Sequence, residues 1–273
     1  MFRVILRLFY NGLKFHGFQR QPNVKTVEGI LEETLLRHKC ISDKFTYIRY
    51  SASGRTDRGV HAISQVIVFD AECEAEKIVE IINRKYSPHI IIWGYRYDNT
   101  GEFNARYWAI YREYIYIEKY NDDYDLNSIS KACKYLIGLK DFSFLGLPKE
   151  VKSQRQLFKI IVDRKSEFLV FKLIAESYAR FMIRKLVSLL KLIGEGRIDI
   201  DNLEKAITKS NVSLPIRRVK SENLALFNVK YPIHFYTSKD LVNEVIEGTN
   251  ILSNKSLVFS YISSYPNELL SII

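Results

Sequence analysis

Strand-type and helix-type apolar runs follow one another along this chain in the order β-α-β-β-α-β, once between residues 2 and 97 and again between 107 and 231. Phe2 to Tyr10 is apolar and aromatic, with Arg3 and Arg7 spaced to share one face of a pleated strand. Thr26 is placed to cap a helix with Ile30, Leu31, Thr34 and Leu35 on one side and Glu28, Glu32 and Glu33 in its first turns. Strand-type runs at Phe45 to Tyr50 and Gln65 to Phe69 follow, then an amphipathic helix over Glu74 to Asn83 and a strand over Ile90 to Tyr97. The second pass opens with one long strand, Tyr107 to Lys119, in which no turn former stands. It continues through a helix at Ser128 to Ile137, strands at Leu157 to Val162 and Phe168 to Ala175, a helix at Tyr178 to Ile193 and a strand at Leu224 to Tyr231. Beyond Tyr236 the pattern predicts only a short helix, Leu241 to Ile246. The two halves share element order without visible identity, and two split βαβ units are the simplest architecture for them. The expected fold class is therefore α+β with two ferredoxin-like halves, residues 1–104 and 105–273.

Composition narrows the function. With 273 residues, 47% of them hydrophobic, the chain can bury a full core. Its 41 Lys and Arg against 31 Asp and Glu leave a formal charge of +10, which favours a polyanionic partner, nucleic acid first. Cys40, Cys73 and Cys133 form no CxxC pair, and His16, His38, His61, His89 and His234 are scattered, so neither a disulfide scaffold nor a metal site is expected. No apolar run reaches the roughly 18 residues of a membrane helix, and the expectation is a soluble intracellular protein with no membrane partner.

The positive charge is segregated. Arg3, Arg7, Lys14, Arg20 and Lys25 stand in the first 27 residues with no acid among them, which predicts a strongly electropositive face. Lys149, Lys152, Arg155, Lys159, Arg164 and Lys165 form a second basic stretch, although solvated surface charge describes most of these equally well. Along Tyr178 to Ile193, Arg180, Arg184 and Lys191 line one narrow stripe of an otherwise apolar helix. Such a stripe faces either a cleft or the surface as snorkelling side chains, and a buried arginine calls for a negative partner.

Between two predicted strands lies Ser53-Gly54-Arg55-Thr56-Asp57-Arg58-Gly59-Val60-His61-Ala62, where two glycines bracket an Arg-Thr-Asp-Arg core. A phosphate loop is excluded, because Val60 stands where its lysine belongs and a strand follows instead of a helix. Gly194-Glu195-Gly196 likewise lacks the third glycine and the leading strand of a dinucleotide fingerprint. What remains is Asp57 flanked by arginines. An arginine within about 4–6 Å typically lowers a carboxylate pKa by 1–3 units, holding it ionised and suited to nucleophilic attack or to stabilising a sugar cation. By itself, the same stretch is also what an ordinary Asx turn looks like.

Gly54-Arg55-Thr56-Asp57 followed by Gly59-Val60-His61-Ala62 resembles the signature loop of the tRNA pseudouridine synthase A (TruA-type) family, with Arg58 in place of the usual small residue. The resemblance extends to Tyr10-Asn11-Gly12 with Gly17, Gln19 and Gln21, where Phe18 replaces a tryptophan, and to Thr26-Val27-Glu28-Gly29. It continues through Phe103-Asn104-Ala105-Arg106, Arg112, Tyr114, Tyr116, Asp141-Phe142-Ser143, Arg155 and Met182-Ile183-Arg184, with Lys185 where asparagine is customary. In all it spans residues 2 to 231.

The resemblance implies two halves whose antiparallel sheets join around a central basic cleft, and a cytoplasmic homodimer that isomerises uridine to pseudouridine at positions 38 to 40 of the tRNA anticodon stem-loop. No cofactor and no metal is implied. Asp57 takes the role of nucleophile, at C6 of the base or C1′ of the sugar; Arg55 fills the space vacated by the uridine or holds phosphates; Tyr114 stacks on the base; Arg184 pairs with the aspartate. On pattern alone Tyr114 reads as a sheet-core aromatic sharing a face with Trp108, Ile110 and Tyr116. His61 reads as a structural donor to loop carbonyls, and Arg20, Lys152 and Arg155 as phosphate contacts. Two other classes fit the same chain: a non-catalytic RNA-binding protein of RRM-like α+β fold, and a tRNA-modifying enzyme such as a methyltransferase, against which stands the lack of a glycine-rich cofactor loop.

Overall fold

In the computed structural model, which describes residues 1–46, 49–147, 152–208 and 214–272, the apolar amino-terminal run forms β1 (Phe2–Tyr10), buried from Val4 onward. Helix α1 (Val27–Arg37) is capped as its sequence implies, with Thr26 Oγ1 accepting the Gly29 N–H at 3.2 Å. A two-residue strand β2 (Ser51–Ala52) and β3 (His61–Ala71) follow, then α2 (Ala75–Tyr86) and β4 (Ile90–Tyr97). β1 is antiparallel to both β3 and β4, so Leu6 stands between Ile67 and Tyr95. α2 is fastened to β4 by Asn83, whose side chain donates to the Ile92 carbonyl and accepts its N–H at 3.0 and 2.7 Å.

β5 (Tyr111–Lys119), α3 (Leu126–Leu136), β6 (Gly138–Asp141), β7 (Gln154–Lys165), β8 (Phe168–Ala175), α4 (Met182–Gly194) and α5 (Ile200–Thr208) build a second compact unit, Tyr111–Leu224. Its strands run β5-β8-β7-β6, each antiparallel to the next. Gly194 is required where α4 meets α3, because a Cβ there would lie 2.6 Å from Ile129 Cδ1.

The chain then returns to the first unit, which comprises Met1–Ile110 and Ala225–Ile273. β9 (Leu224–Lys230) lies parallel to β3 with His61 opposite Ala225. α6 (Lys239–Leu252), α7 (Leu257–Ser264) and α8 (Pro266–Leu270) pack on the same unit: Phe9 meets Phe259 at 5.5 Å, and Glu244 accepts from Asn83 at 2.8 Å. β9 and the tail thus group with residues 1–110, because they find their partners in β3, β1 and α2. The fold is α+β, antiparallel within each unit apart from the β3–β9 pair, in keeping with the repeated element order.

Several sequence expectations need correction. The described residues of Phe45 to Tyr50 form a turn: the Arg49 and Tyr50 N–H groups both donate to the Thr46 carbonyl, and the Phe45 and Tyr50 rings stack at 4.5 Å. Tyr47 and Ile48 lie outside the described residues, as do Lys149 and Glu150 of the second basic stretch. The long strand begins at Tyr111 instead of Tyr107, because Asn104, just upstream, closes a turn over Arg106 and Tyr107. Helix α4 begins at Met182 behind a left-handed Phe181, φ 67°, so Arg180 lies off the helix. Its guanidinium and that of Arg218 stack on the Phe181 ring at 4.6 and 4.2 Å. Cys40 and Cys73 are joined in a disulfide across 33 residues, because the ends of α1 and β3 converge; the Glu72 N–H donates to the Cys40 carbonyl at 2.9 Å. Cys133 is free and buried, its thiol pushed up to about 12 by burial.

Candidate active site

The loop between β2 and β3 is gripped along its backbone. Ser53 donates its N–H to the Val66 carbonyl at 2.8 Å and its hydroxyl to Gln65 Oε1. Gln65 in turn donates to the Gly54 carbonyl at 2.9 Å. Thr56 is held at both ends: its Oγ1 shares a proton with the Tyr10 hydroxyl at 2.8 Å, and its carbonyl accepts from the Phe18 N–H at 3.1 Å. A turn closes where the Val60 N–H donates to the Asp57 carbonyl at 3.1 Å, with Gly59 at φ +86°. The segment after β1 lies directly against this backbone, and two glycines permit it. A Cβ on Gly12 would stand 2.1 Å from the Val60 oxygen, and one on Gly17, φ +90°, 2.9 Å from the Thr56 oxygen. Asp57 is therefore carried on a fixed backbone, half-buried, with exposed Arg55 and Arg58 on either side.

His61 ends the loop and is fully buried. The Gly12 N–H donates to its Nδ1 at 3.1 Å, and its Nε2 lies 3.1 Å from Ser256 Oγ at the start of α7. A backbone N–H can only donate, so Nδ1 is an acceptor, and the ring is neutral with its proton on Nε2, directed at Ser256. The Phe259 ring meets the imidazole edge-on at 4.4 Å. His61 is structural, as its sequence context suggests, but it accepts a backbone N–H on Nδ1 where a donor to loop carbonyls was expected.

Much of the amino-terminal positive charge is used internally. Arg3 pairs with Asp70 at 2.9 Å and Asp98 at 3.4 Å. Arg20, expected on phosphates, pairs with Glu32 and donates to the Phe45 carbonyl at 3.2 Å. Arg7 is buried against the rings of Trp93 and Phe235 at 5.0 and 4.3 Å and donates to the Ile272 carbonyl at 3.2 Å. Burial lowers its pKa to about 10. Of that group Lys14, Arg20 and Lys25 are exposed, whereas Arg3 and Arg7 are drawn into the fold. In the second basic stretch Lys152, Lys159, Arg164 and Lys165 are exposed, whereas Arg155 is half-buried and donates to the Gln154 carbonyl at 2.6 Å.

Tyr114 and Arg184 belong to the second unit. Tyr114 is buried opposite Leu173 in the β5–β8 register, and its ring meets Tyr178 edge-on at 5.3 Å. Trp108 and Ile110, expected beside it in the core, precede the strand and are exposed. Arg184 is half-buried, its Nε donating to the Val219 carbonyl at 2.8 Å while the Val219 N–H donates back to the Arg184 carbonyl at 3.3 Å. Next to it, Lys185 donates to the carbonyls of Leu145 and Gly146, both at 2.6 Å, and burial lowers its pKa. Lys191, the end of the stripe, pairs with Glu118 at 2.5 Å.

Sequence reasoning gave no role to Gln65 and Ser256 and met Tyr10 only in the family resemblance, yet these side chains hold the loop. The available signal was a polar Ser64-Gln65 pair inside an otherwise apolar strand, since a buried polar group must find a partner. Among the described residues no group of three or more His, Cys, Asp or Glu side chains is gathered to hold a metal ion, and no helix is long and apolar enough to cross a membrane.

A family model described as tRNA pseudouridine synthase matches residues 9–107 and 132–232, which include the whole Asp57 loop and Arg184. The tRNA pseudouridine synthase A of Methanosarcina barkeri is 34% identical over 230 residues, 84% of each chain. That of Thermococcus sibiricus is 29% identical over 265 residues, 94% of this chain and 97% of its own. That of Methanosarcina acetivorans is 35% identical over 230 residues, again 84% of each.

Proposed function

The chain belongs to the tRNA pseudouridine synthase family, a family of isomerases, and from that membership we propose that it converts uridine to pseudouridine at positions 38 to 40 of the tRNA anticodon stem-loop, with Asp57 as nucleophile. The observation that supports this reading is the Asp57 loop itself: Thr56 and the Asp57 carbonyl are fixed, the aspartate is half-buried, and arginines flank it. A loop backbone held in place narrows the positions its carboxylate can take before the reaction.

The rearrangement breaks the N1–C1′ bond, turns the uracil and joins C5 to C1′; the C5 proton leaves and N1 takes up a proton, so the composition is unchanged and no co-substrate is consumed. Asp57 supplies the electron pair that enables the base to leave. The uridine must come out of its stack to reach it. Arg55, exposed on the same loop, takes the vacated space or holds adjoining phosphates. Tyr114 stacks on the base, and Arg184 binds the substrate. We place the enzyme in the cytoplasm as a homodimer, a state that sedimentation equilibrium tests.

The decisive assay is tritium release from tRNA labelled at uracil C5. Wild type releases label without an added cofactor; Asp57→Ala releases none and still binds tRNA. Release by Asp57→Ala removes the nucleophile assignment, and pseudouridine mapped outside positions 38 to 40 removes the site assignment.

A further inference from the structure

Between Phe103 and Ile110 the chain displays large apolar side chains to solvent: Tyr107 is 77% exposed, Ile110 50% and Trp108 39%. The display is rigid. Asn104 Oδ1 accepts the Arg106 and Tyr107 N–H groups at 3.0 and 3.2 Å, and the Asn104 carbonyl accepts the Trp108 N–H at 3.0 Å. The Ala105 N–H donates to Ser51 Oγ at 2.8 Å, the Ala105 carbonyl accepts from the Tyr231 hydroxyl, and the Ile110 N–H donates to the Lys230 carbonyl at 2.8 Å. Phe103 packs against Trp108 and Tyr231 at 5.4 and 5.2 Å. The tethers hold the backbone that presents these rings, and exposing them to water costs solvation free energy.

We propose that Tyr107 and Trp108, with Arg106, form a stacking platform for unpaired bases of the RNA substrate. The inference rests on the reading of the chain as an enzyme acting on RNA. Aromatic faces accept any base, and an adjacent guanidinium adds cation–π attraction and a phosphate partner. Arg106 already stands 5.7 Å from the Tyr107 centroid. From Phe103 to Ile110 it is the only charged residue, and the neighbouring Lys230 is exposed and also positive. Two copies of the chain meeting face to face here would bring like charges together, whereas RNA supplies both bases and phosphates. The platform is tethered at Ser51, two residues before the grip on the Asp57 loop begins at Ser53, so it suits bases on the same RNA segment as the target.

Trp108 offers its own reporter, since the chain's other tryptophan, Trp93, is 1% exposed. Titrating the full chain with an anticodon stem-loop RNA should quench Trp108 emission. Tyr107→Ala and Trp108→Ala should each weaken binding by about 5- to 150-fold and raise KM more than they lower kcat, while Tyr107→Phe and Trp108→Phe retain affinity. Unchanged circular dichroism and melting temperature show that the variants are folded. Affinity within twofold of wild type in the double alanine variant overturns the platform. So does a shift in that variant from dimer to monomer without loss of affinity per subunit, which would make the patch an interface between copies. Failure of the isomerase reading looks different: wild type would release no tritium, yet the alanine variants would still lose RNA affinity.

Discussion

Ser256→Ala tests whether the tail holds the Asp57 loop from behind. Ser256 Oγ does two jobs: it accepts the Val258 N–H at 3.2 Å as the N-cap of α7, and it lies 3.1 Å from His61 Nε2. Removing the acceptor of a buried imidazole N–H costs about 2 kcal/mol, within the usual range for such groups. Loss of the cap adds about 1 kcal/mol. We expect Ser256→Ala to lower unfolding free energy by about 3 kcal/mol, read as a reduced urea midpoint at unchanged slope. Ser256→Gly, which retains most of an N-cap's value, should lose about 2 kcal/mol, and Ser256→Thr should lose little. Nitrogen-15 spectra of the histidine ring should show the proton on Nε2 in wild type. A loss below about 0.5 kcal/mol in Ser256→Ala, the scale of an ordinary surface change, or a proton found on Nδ1, refutes the reasoning.

Other perturbations test neighbouring features. Gly12→Ala places a Cβ 2.1 Å from the Val60 oxygen and should cost about 1–3 kcal/mol and abolish tritium release; full activity would show that the loop backbone yields freely. Replacing Cys40 and Cys73 together by alanine opens a 33-residue cross-link and should cost about 3–4 kcal/mol in unfolding under oxidising conditions, with no difference from wild type under reductant. Glu76 is held below its ordinary 4.5 chiefly by the Tyr95 hydroxyl, so its contribution to stability is present above that value and lost as pH falls through the lowered one. Glu76→Gln should therefore show a shallower acid limb as pH falls below 4.5, and an acid limb as steep as wild type would contradict the assignment.

How much of this was legible beforehand depends on whether the relevant partners were local. β1 and β4 were read residue for residue and α2 to within three residues of its end, since alternation and helical spacing are properties of a single segment. The Asp57 loop was legible too, because glycines at constrained positions and charge in a short connection are visible without a fold. The disulfide was not, as Cys40 and Cys73 meet only once α1 and β3 are packed. Nor were the turn at Phe45, whose aromatics resemble a strand until they are seen stacked on each other, and the tail helices, whose apolar positions make sense only against β1 and His61. Gln65 shows the limit most clearly: sequence reveals a buried polar residue in a strand but not that it grips a loop eleven residues upstream.

The return of β9 to β3 makes the unit that carries Asp57 discontinuous, with the whole of Tyr111–Leu224 inserted in its sequence. During synthesis the ribosome must therefore deliver the entire insert before the strand beside His61 and the serine behind it exist. Until then the start of β3 lacks its β9 neighbour, and the nascent chain carries the Asp57 loop without the strand and the serine that flank His61.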